Sequence, residues 1–77
     1  MNYEIQVGDY ILAYPSLGPH RSYLVSRVTK RYAFVQWNDK AEGQYPRIFG
    51  PAFQPYPRYR WNTTRYAIRK ADGSIIK

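Results

Sequence analysis

Proline and glycine punctuate this 77-residue chain closely, and this spacing constrains its fold more than any other sequence feature. Six prolines and five glycines interrupt nearly every window long enough for a helix. Proline lacks a backbone donor and breaks a helix interior. The longest uninterrupted window, Arg21 to Glu42, is rich in β-branched and aromatic residues, which favour strands. The chain shows no helical periodicity and no internal repeat, and it is therefore predicted to be all-β.

Three strands are predicted in the first half of the chain. Gly8-Asp9 is typical of a turn that leads into a first strand, and Pro15 should end that strand because it cannot donate to a ladder. Alternating apolar and polar residues then indicate a second strand, and an aromatic run indicates a third. The predicted strands are Tyr10–Tyr14, Ser22–Thr29 and Tyr32–Trp37.

Residues 65–77 are predicted to form a hairpin about Asp72-Gly73, a dipeptide that suits the left-handed angles of a two-residue type I′ turn. Such a turn pairs Ala71 with Ser74 and Lys70 with Ile75. Strand alternation then places Tyr66, Ile68 and Ile75 on one face. The other face carries Arg65, Ala67 and Arg69, and this basic face is a candidate ligand surface.

Residues 44–61 combine four prolines with six aromatic residues and are predicted to be an ordered loop packed across the domain. The prolines exclude a regular central strand, whereas disorder is associated with few aromatics. A short strand or a single helical turn is expected near Ile48. Together with the barrel strands of residues 7–40 and the hairpin of residues 65–77, this loop completes one domain over residues 1–77.

Composition limits the chemistry that such a domain can perform. The chain has no cysteine and a single histidine, His20, so neither a disulfide framework nor a zinc site is expected, and no cofactor is predicted. Nucleophile-elbow, catalytic-triad and phosphate-loop patterns are missing, which argues against an enzyme. The sequence shows no leader and no apolar run that could span a bilayer, so we expect a cytoplasmic protein, located in the nucleoid or nucleus in the alternative case, without a membrane partner.

The formal net charge of +7 favours an anionic partner, and the basic residues lie largely in two stretches without acids. Within Tyr56–Trp61, arginines alternate with aromatics, so that the arginines could contact phosphates while a tyrosine stacks on bases. Lys30-Arg31 could reach a phosphate backbone or simply protect a sheet edge from aggregation. The candidate nucleic-acid contacts are Arg27, Lys30, Arg31, Arg47, Tyr56, Arg58, Arg60, Arg65, Arg69 and Lys70.

The first half of the chain resembles the small SH3-like barrels of the Tudor, agenet and chromo-barrel group. The resemblance covers roughly residues 7–40 and is carried by Gly8–Ala13, Tyr23–Val28 and Tyr32–Asp39. It implies a partly open barrel of about five strands. It also implies a methyl-lysine or methyl-arginine reader with an aromatic cage at Tyr14, Tyr23 and Trp37, although a cage that holds cations by cation–π attraction suits a +7 domain poorly.

Three functions follow from these patterns. The first is a non-catalytic DNA- or RNA-binding module that contacts mainly phosphates and reads little base sequence. The second is a small regulatory protein-interaction module, encoded by a virus or mobile element, that docks on an acidic face of a host protein complex. The third is the methyl-cation reader. The chain is expected to be a monomer or a homodimer paired through the strand edge at Ile75-Ile76.

Overall fold

The computed structural model describes residues 2–51, 53 and 64–77, and no helix occurs among them. A six-stranded antiparallel sheet has the order β5-β4-β3-β2-β7-β8, and β1 and β6 form a separate two-stranded ribbon. The all-β prediction is confirmed. Within the described residues the edge strands β5 and β8 do not pair, so the large sheet is not closed into a barrel. The strands are β1 Tyr3–Glu4, β2 Tyr10–Pro15, β3 Arg21–Val28, β4 Tyr32–Gln36, β5 Glu42–Pro46, β6 Ile48–Phe49, β7 Thr64–Arg69 and β8 Ile75–Ile76.

The core lies against one face of the large sheet, where alternate residues of neighbouring strands meet. Ile11, Val25 and Ile68 are each at most 1% exposed and belong to one cluster. The ribbon contributes Phe49 to this cluster, and Ile5, just after β1, joins it. The ribbon therefore packs on the inner face of the sheet, as the period-two alternation of strand side chains requires.

Phe53 is the centre of an aromatic cluster within this core. Its ring centroid lies 5.1 Å from that of Phe49, 5.2 Å from that of Tyr66 and 6.2 Å from that of Tyr45. Pairs of this geometry add to the free energy gained by burying the rings. A chain without disulfides thus obtains much of its packing from aromatic residues.

The predicted Gly8-Asp9 turn is present and is held by a buried carboxylate. Gly8 has a φ of 96°, which glycine adopts at no steric cost. Asp9 is 3% exposed and accepts hydrogen bonds from the Tyr3 hydroxyl at 2.6 Å and the Gln6 backbone N–H at 2.8 Å. Burial, and next the hydrogen bond to Asp9, raise the pKa of Tyr3 to about 12. The turn thereby ties β1 to the start of β2.

The three strands predicted in the first half occur within one residue of the predicted limits. The segment after them was wrongly assigned. Residues 44–46 were expected to begin the loop, but they belong to β5. This strand pairs with β4, with Glu42 opposite Gln36 and Pro46 opposite Tyr32. Pairing and the burial of Gly43 and Tyr45 outweigh the weak strand propensity of this segment. Near Ile48, where a short strand or a single helical turn was expected, the structure has the short strand β6.

The C-terminal hairpin is present, but the predicted two-residue type I′ turn is wrong. Arg69 pairs with Ile75, the Gly73 N–H donates to the Lys70 carbonyl at 2.8 Å, and Gly73 alone in this turn has a positive φ. This is a three-residue loop with glycine in the left-handed position. The one-residue change of register puts Ile76 against the core and leaves Ile75 46% exposed, the opposite of the expectation for Ile75.

Candidate functional site

The side of the sheet opposite the Ile11–Ile68 cluster carries basic and aromatic residues on β2 and β7, with Leu12 and Ala67 buried between them. Ile11 pairs with Ile68, and both side chains are fully buried, so their strand neighbours project to the opposite side. We call this side of β3, β2, β7 and β8 the outer face. It comprises Tyr10, Leu12, Tyr14, Ser22, Leu24, Arg65, Ala67, Arg69 and Ile75.

Two cross-strand tyrosine–arginine pairs occupy the outer face. Tyr10 pairs with Arg69, and Tyr14 pairs with Arg65. The two pairs are four residues apart along each strand, a separation of about 13–14 Å at the rise of an antiparallel strand. Cross-strand partners project to the same side of the sheet, so each pair places an arginine and a tyrosine on this face.

The two tyrosine–arginine pairs differ in the contacts and the exposure of their side chains. The Arg69 guanidinium carbon lies 4.5 Å from the centroid of the Tyr10 ring, and both residues are half-buried. Arg65 is exposed, and Tyr14 is 36% exposed. His20, in the loop after β2, packs on Tyr14 in a T-shaped arrangement with ring centroids 4.8 Å apart. The Tyr10–Arg69 pair is therefore packed onto itself, whereas the Tyr14–Arg65 pair is open to a ligand.

None of the five carboxylates of the chain lies on β2 or β7. Each has another place in the fold: a buried turn, two ion pairs, the β4–β5 loop and the C-terminal hairpin turn. In that hairpin turn, hydrogen bonds from the Ser74 hydroxyl and backbone hold the pKa of Asp72 below its usual value. The outer face thus keeps its positive charge. Asp9 lies in the buried turn, Glu4 and Glu42 form the ion pairs, Asp39 lies in the β4–β5 loop, and Asp72 lies in the hairpin turn.

The cluster predicted around the β3–β4 turn is only partly available. Arg27 donates twice to Glu42, at 2.9 and 3.2 Å, and its guanidinium carbon lies 3.8 Å from the centroid of the Phe34 ring. Its charge is therefore largely compensated. Lys30 and Arg31 are exposed at the turn itself.

Arg47 is engaged within the fold. Its guanidinium donates to the backbone carbonyls of Ile5 and Thr29 and forms an ion pair with Glu4, and its side chain is only 11% exposed. Arg47 thereby links the N-terminal segment to the β3–β4 turn. We leave it out of the candidate interface.

Lys70 is the last predicted contact within the described residues. Lys70, half-buried just after β7, has its Nζ 5.6 Å from the centroid of the Tyr3 ring. Tyr56, Arg58 and Arg60 lie outside the described residues. Of the ten predicted contacts, the structure therefore brings Arg65 and Arg69 together on one strand face.

The three aromatics of the suggested methyl-cation cage do not converge. Tyr23 pairs with Ile11 and packs against the core, so it lies on the inner face, whereas Tyr14 lies on the outer face. Trp37 follows β4 and packs over Gly43, where an added Cβ would lie 2.5 Å from the Trp37 ring. A cage of these three rings is therefore not formed.

Sequence reasoning did not include Tyr10 or His20 in the site. The alternation of β2 could have shown that Tyr10 and Tyr14 share a face, but their arginine partners follow only from the pairing of β2 with β7. The contact of His20 with Tyr14 depends on the path of the loop, which has no pattern in the sequence.

Other kinds of site find no support among the described residues. There, no group of three histidine, cysteine or acidic side chains is placed to hold a metal ion. The same part of the chain contains no helix of the length and apolarity that a membrane crossing needs. Compared with known proteins, the chain matches no protein-family model, no curated protein and no solved structure.

Proposed function

We propose that this protein is a non-catalytic nucleic-acid-binding module that contacts phosphates through the outer face of its sheet. The observation that carries this proposal is the pair of arginines, Arg65 and Arg69, on a strand face flanked by tyrosines and free of carboxylates. An arginine fork matches phosphate oxygens and stays charged at every physiological pH. The net charge of +7 adds long-range attraction.

Both arginines lie on one strand, and this placement favours binding because it holds their side chains in position. Strands hold side chains more rigidly than loops do, so less conformational entropy is lost when a ligand binds. Tyr10 orients the guanidinium of Arg69 before the ligand arrives. Contacts of this kind go to the backbone of a nucleic acid, and we expect little dependence on base sequence.

We also infer that the scaffold belongs to the SH3-like type that the sequence resembles. Strands β2 to β5 follow one another as an antiparallel meander, and β7 returns to pair with the free side of β2. This order of five antiparallel strands, with the ribbon and β8 as additions, is compatible with a small β fold and supports the inference. The fold by itself selects no ligand, and the functional proposal depends on the outer face.

The direct test is fluorescence anisotropy with labelled oligonucleotides at several salt concentrations. The logarithm of the binding constant should fall linearly with that of salt, by about 0.7 per phosphate contacted on a single strand and about 0.9 on duplex DNA. Arg65→Gln should make this salt dependence shallower by roughly the value for one phosphate contact. The matched control is Lys40→Gln, which removes the same charge from the exposed β4–β5 loop. A wild-type protein that binds neither single strands nor duplexes at low salt would refute the proposal.

A second candidate function is docking on an acidic protein surface. One row across the outer face runs Ile75, Arg69, Tyr10 and Leu24, and its two apolar ends are 46% and 48% exposed. Arginine and tyrosine beside apolar groups are typical of binding hot spots. A pull-down repeated after nuclease treatment separates the two functions. A partner retained after digestion and lost with Leu24→Ser supports docking, whereas a partner lost on digestion supports a nucleic-acid tether.

A further inference from the structure

We propose that the protein binds single strands in preference to duplexes, with the Tyr14 ring stacked on an unpaired base and Arg65 on an adjacent phosphate. This inference rests on the proposed function and names the form of the ligand. Four observations on the two tyrosine–arginine pairs carry it.

The first observation is the accessibility of an aromatic ring beside a free cation. Tyr14 is 36% exposed, and its cross-strand partner Arg65 is exposed. Among the described residues, no carboxylate forms an ion pair with Arg65. An exposed ring can stack on any base whose face is uncovered. In a duplex the base faces are covered by their neighbours, so only the arginines could be used.

The second observation is the cross-strand pairing of Tyr14 with Arg65. Neighbouring strands lie about 4.8 Å apart, and paired residues project to the same side. A base and the phosphate attached to it could therefore contact Tyr14 and Arg65 at the same time. This matches the composition of a single nucleotide, which joins a planar ring to an anion.

The third observation is the orientation of the Tyr14 ring. His20 contacts it at a centroid distance of 4.8 Å with the ring planes 87° apart. This contact restricts the rotation of Tyr14 before a ligand binds. Because less side-chain entropy is then lost, stacking on this ring is favoured over stacking on a freely rotating one.

The fourth observation is the difference between the two pairs. Tyr10 already carries the Arg69 guanidinium at 4.5 Å, so its ring braces a cation and does not offer a stacking surface. We therefore assign stacking to Tyr14 and phosphate contact to both arginines. A flexible single strand can follow the separation of about 13–14 Å between the pairs.

The test compares one oligonucleotide of about 12 nucleotides, within the usual site sizes of small β domains, as a single strand and as a duplex with its complement. Both are titrated by anisotropy at one low salt concentration. Tyr14→Leu should weaken single-strand binding by about five- to 150-fold, the measured range for losing one stacked base. Tyr14→Phe should bind as wild type does. Duplex binding should change less than twofold in both variants.

Two controls separate stacking from a loss of structure. Tyr32 is 40% exposed on β4, away from the tyrosine–arginine pairs, so Tyr32→Leu is a matched removal of an exposed ring. Thermal unfolding followed by circular dichroism should give similar midpoints for Tyr14→Leu and Tyr32→Leu. The salt slope of Tyr14→Leu should equal that of wild type, because the phosphate contacts remain.

The outcomes distinguish this inference from the proposed function. Equal affinity for single strand and duplex, with no effect of Tyr14→Leu and a normal salt slope, would overturn the single-strand preference and leave the proposed function intact. The same holds if Tyr32→Leu weakens binding as much as Tyr14→Leu does. Failure of wild-type protein to bind either form at low salt would remove the proposed function itself.

Discussion

Replacement of Arg47 by methionine tests whether this residue stabilises the fold or binds a ligand. Arg47→Met keeps the unbranched stem and removes the guanidinium. The two backbone carbonyls that it serves, those of Ile5 and Thr29, then lose their charged donor. Hydrogen bonds to a charged group contribute about 1.5–3 kcal/mol each, so the two bonds account for about 3–6 kcal/mol.

Two considerations place the expected loss at the lower end of that range. Thr29 is exposed, so water can replace part of the lost bond. The ion pair with Glu4 adds at most about 1 kcal/mol, because the Glu4 side chain is 61% exposed and solvent screens it. We expect a loss of about 3 kcal/mol in the free energy of unfolding, or a midpoint lowered by about 12–24 °C in a domain of this size.

Urea unfolding followed by far-ultraviolet circular dichroism measures this loss. Arg27→Met is the matched control, since it removes an exposed ion pair with Glu42 and a cation–π contact with Phe34. That variant should lose only about 1 kcal/mol. The reasoning is refuted if Arg47→Met is no more destabilising than Arg27→Met, or if it weakens oligonucleotide binding at unchanged stability.

Three further predictions concern the core, the hairpin register and one tyrosine. Phe53→Ala should cost about 3–5 kcal/mol in urea unfolding, because the ring lies at the centre of the aromatic cluster, and a cost below about 1 kcal/mol would contradict that placement. Ile76→Ala should lower the free energy of unfolding more than Ile75→Ala does in the same measurement, since only Ile76 packs on the core. A larger loss for Ile75→Ala would contradict the three-residue loop and support the two-residue turn. An alkaline titration followed by ultraviolet absorbance, compared with that of Tyr3→Phe, should show Tyr3 ionising at about 12. Because this pKa is raised in the folded state, its stabilisation is complete below about pH 10 and is lost as the pH rises through about 12. Asp9→Asn should lower the pKa of Tyr3 part of the way, since burial remains, and an unchanged titration would contradict the hydrogen bond.

Local patterns were sufficient to predict the first long strands but not the pairs that join distant segments. The alternation around Leu24 and the aromatic run after Tyr32 place β3 and β4 correctly. In contrast, β5 contains Gly43 and ends in Pro46, and its strand conformation depends on pairing with β4. The ribbon joins Tyr3 to Phe49, and such a distant pairing leaves no periodicity in either segment.

The candidate site shows the same division. That Arg65 and Arg69 share a face followed from strand alternation and is confirmed by the register of β7. That Tyr10 and Tyr14 stand beside them could not be predicted, because nothing local specifies which strand pairs with β7. Arg47 was grouped with the ligand contacts because charge alone does not show whether a guanidinium faces solvent or backbone carbonyls.

The pairing of β2 with β7 also determines when the outer face is completed during folding. The nearest paired residues, Pro15 and Thr64, are 49 positions apart, whereas β3 and β4 are joined by a three-residue connection. A loop about 16 times longer adds about 2.5 kcal/mol of closure entropy, at about 0.6 kcal/mol for each doubling. The β3–β4–β5 meander can therefore form early, and each tyrosine meets its arginine only when β7 docks. In a chain still emerging from the ribosome, the tyrosines of β2 and the arginines of β7 would therefore lie on unpaired segments, and the outer face would not yet be formed.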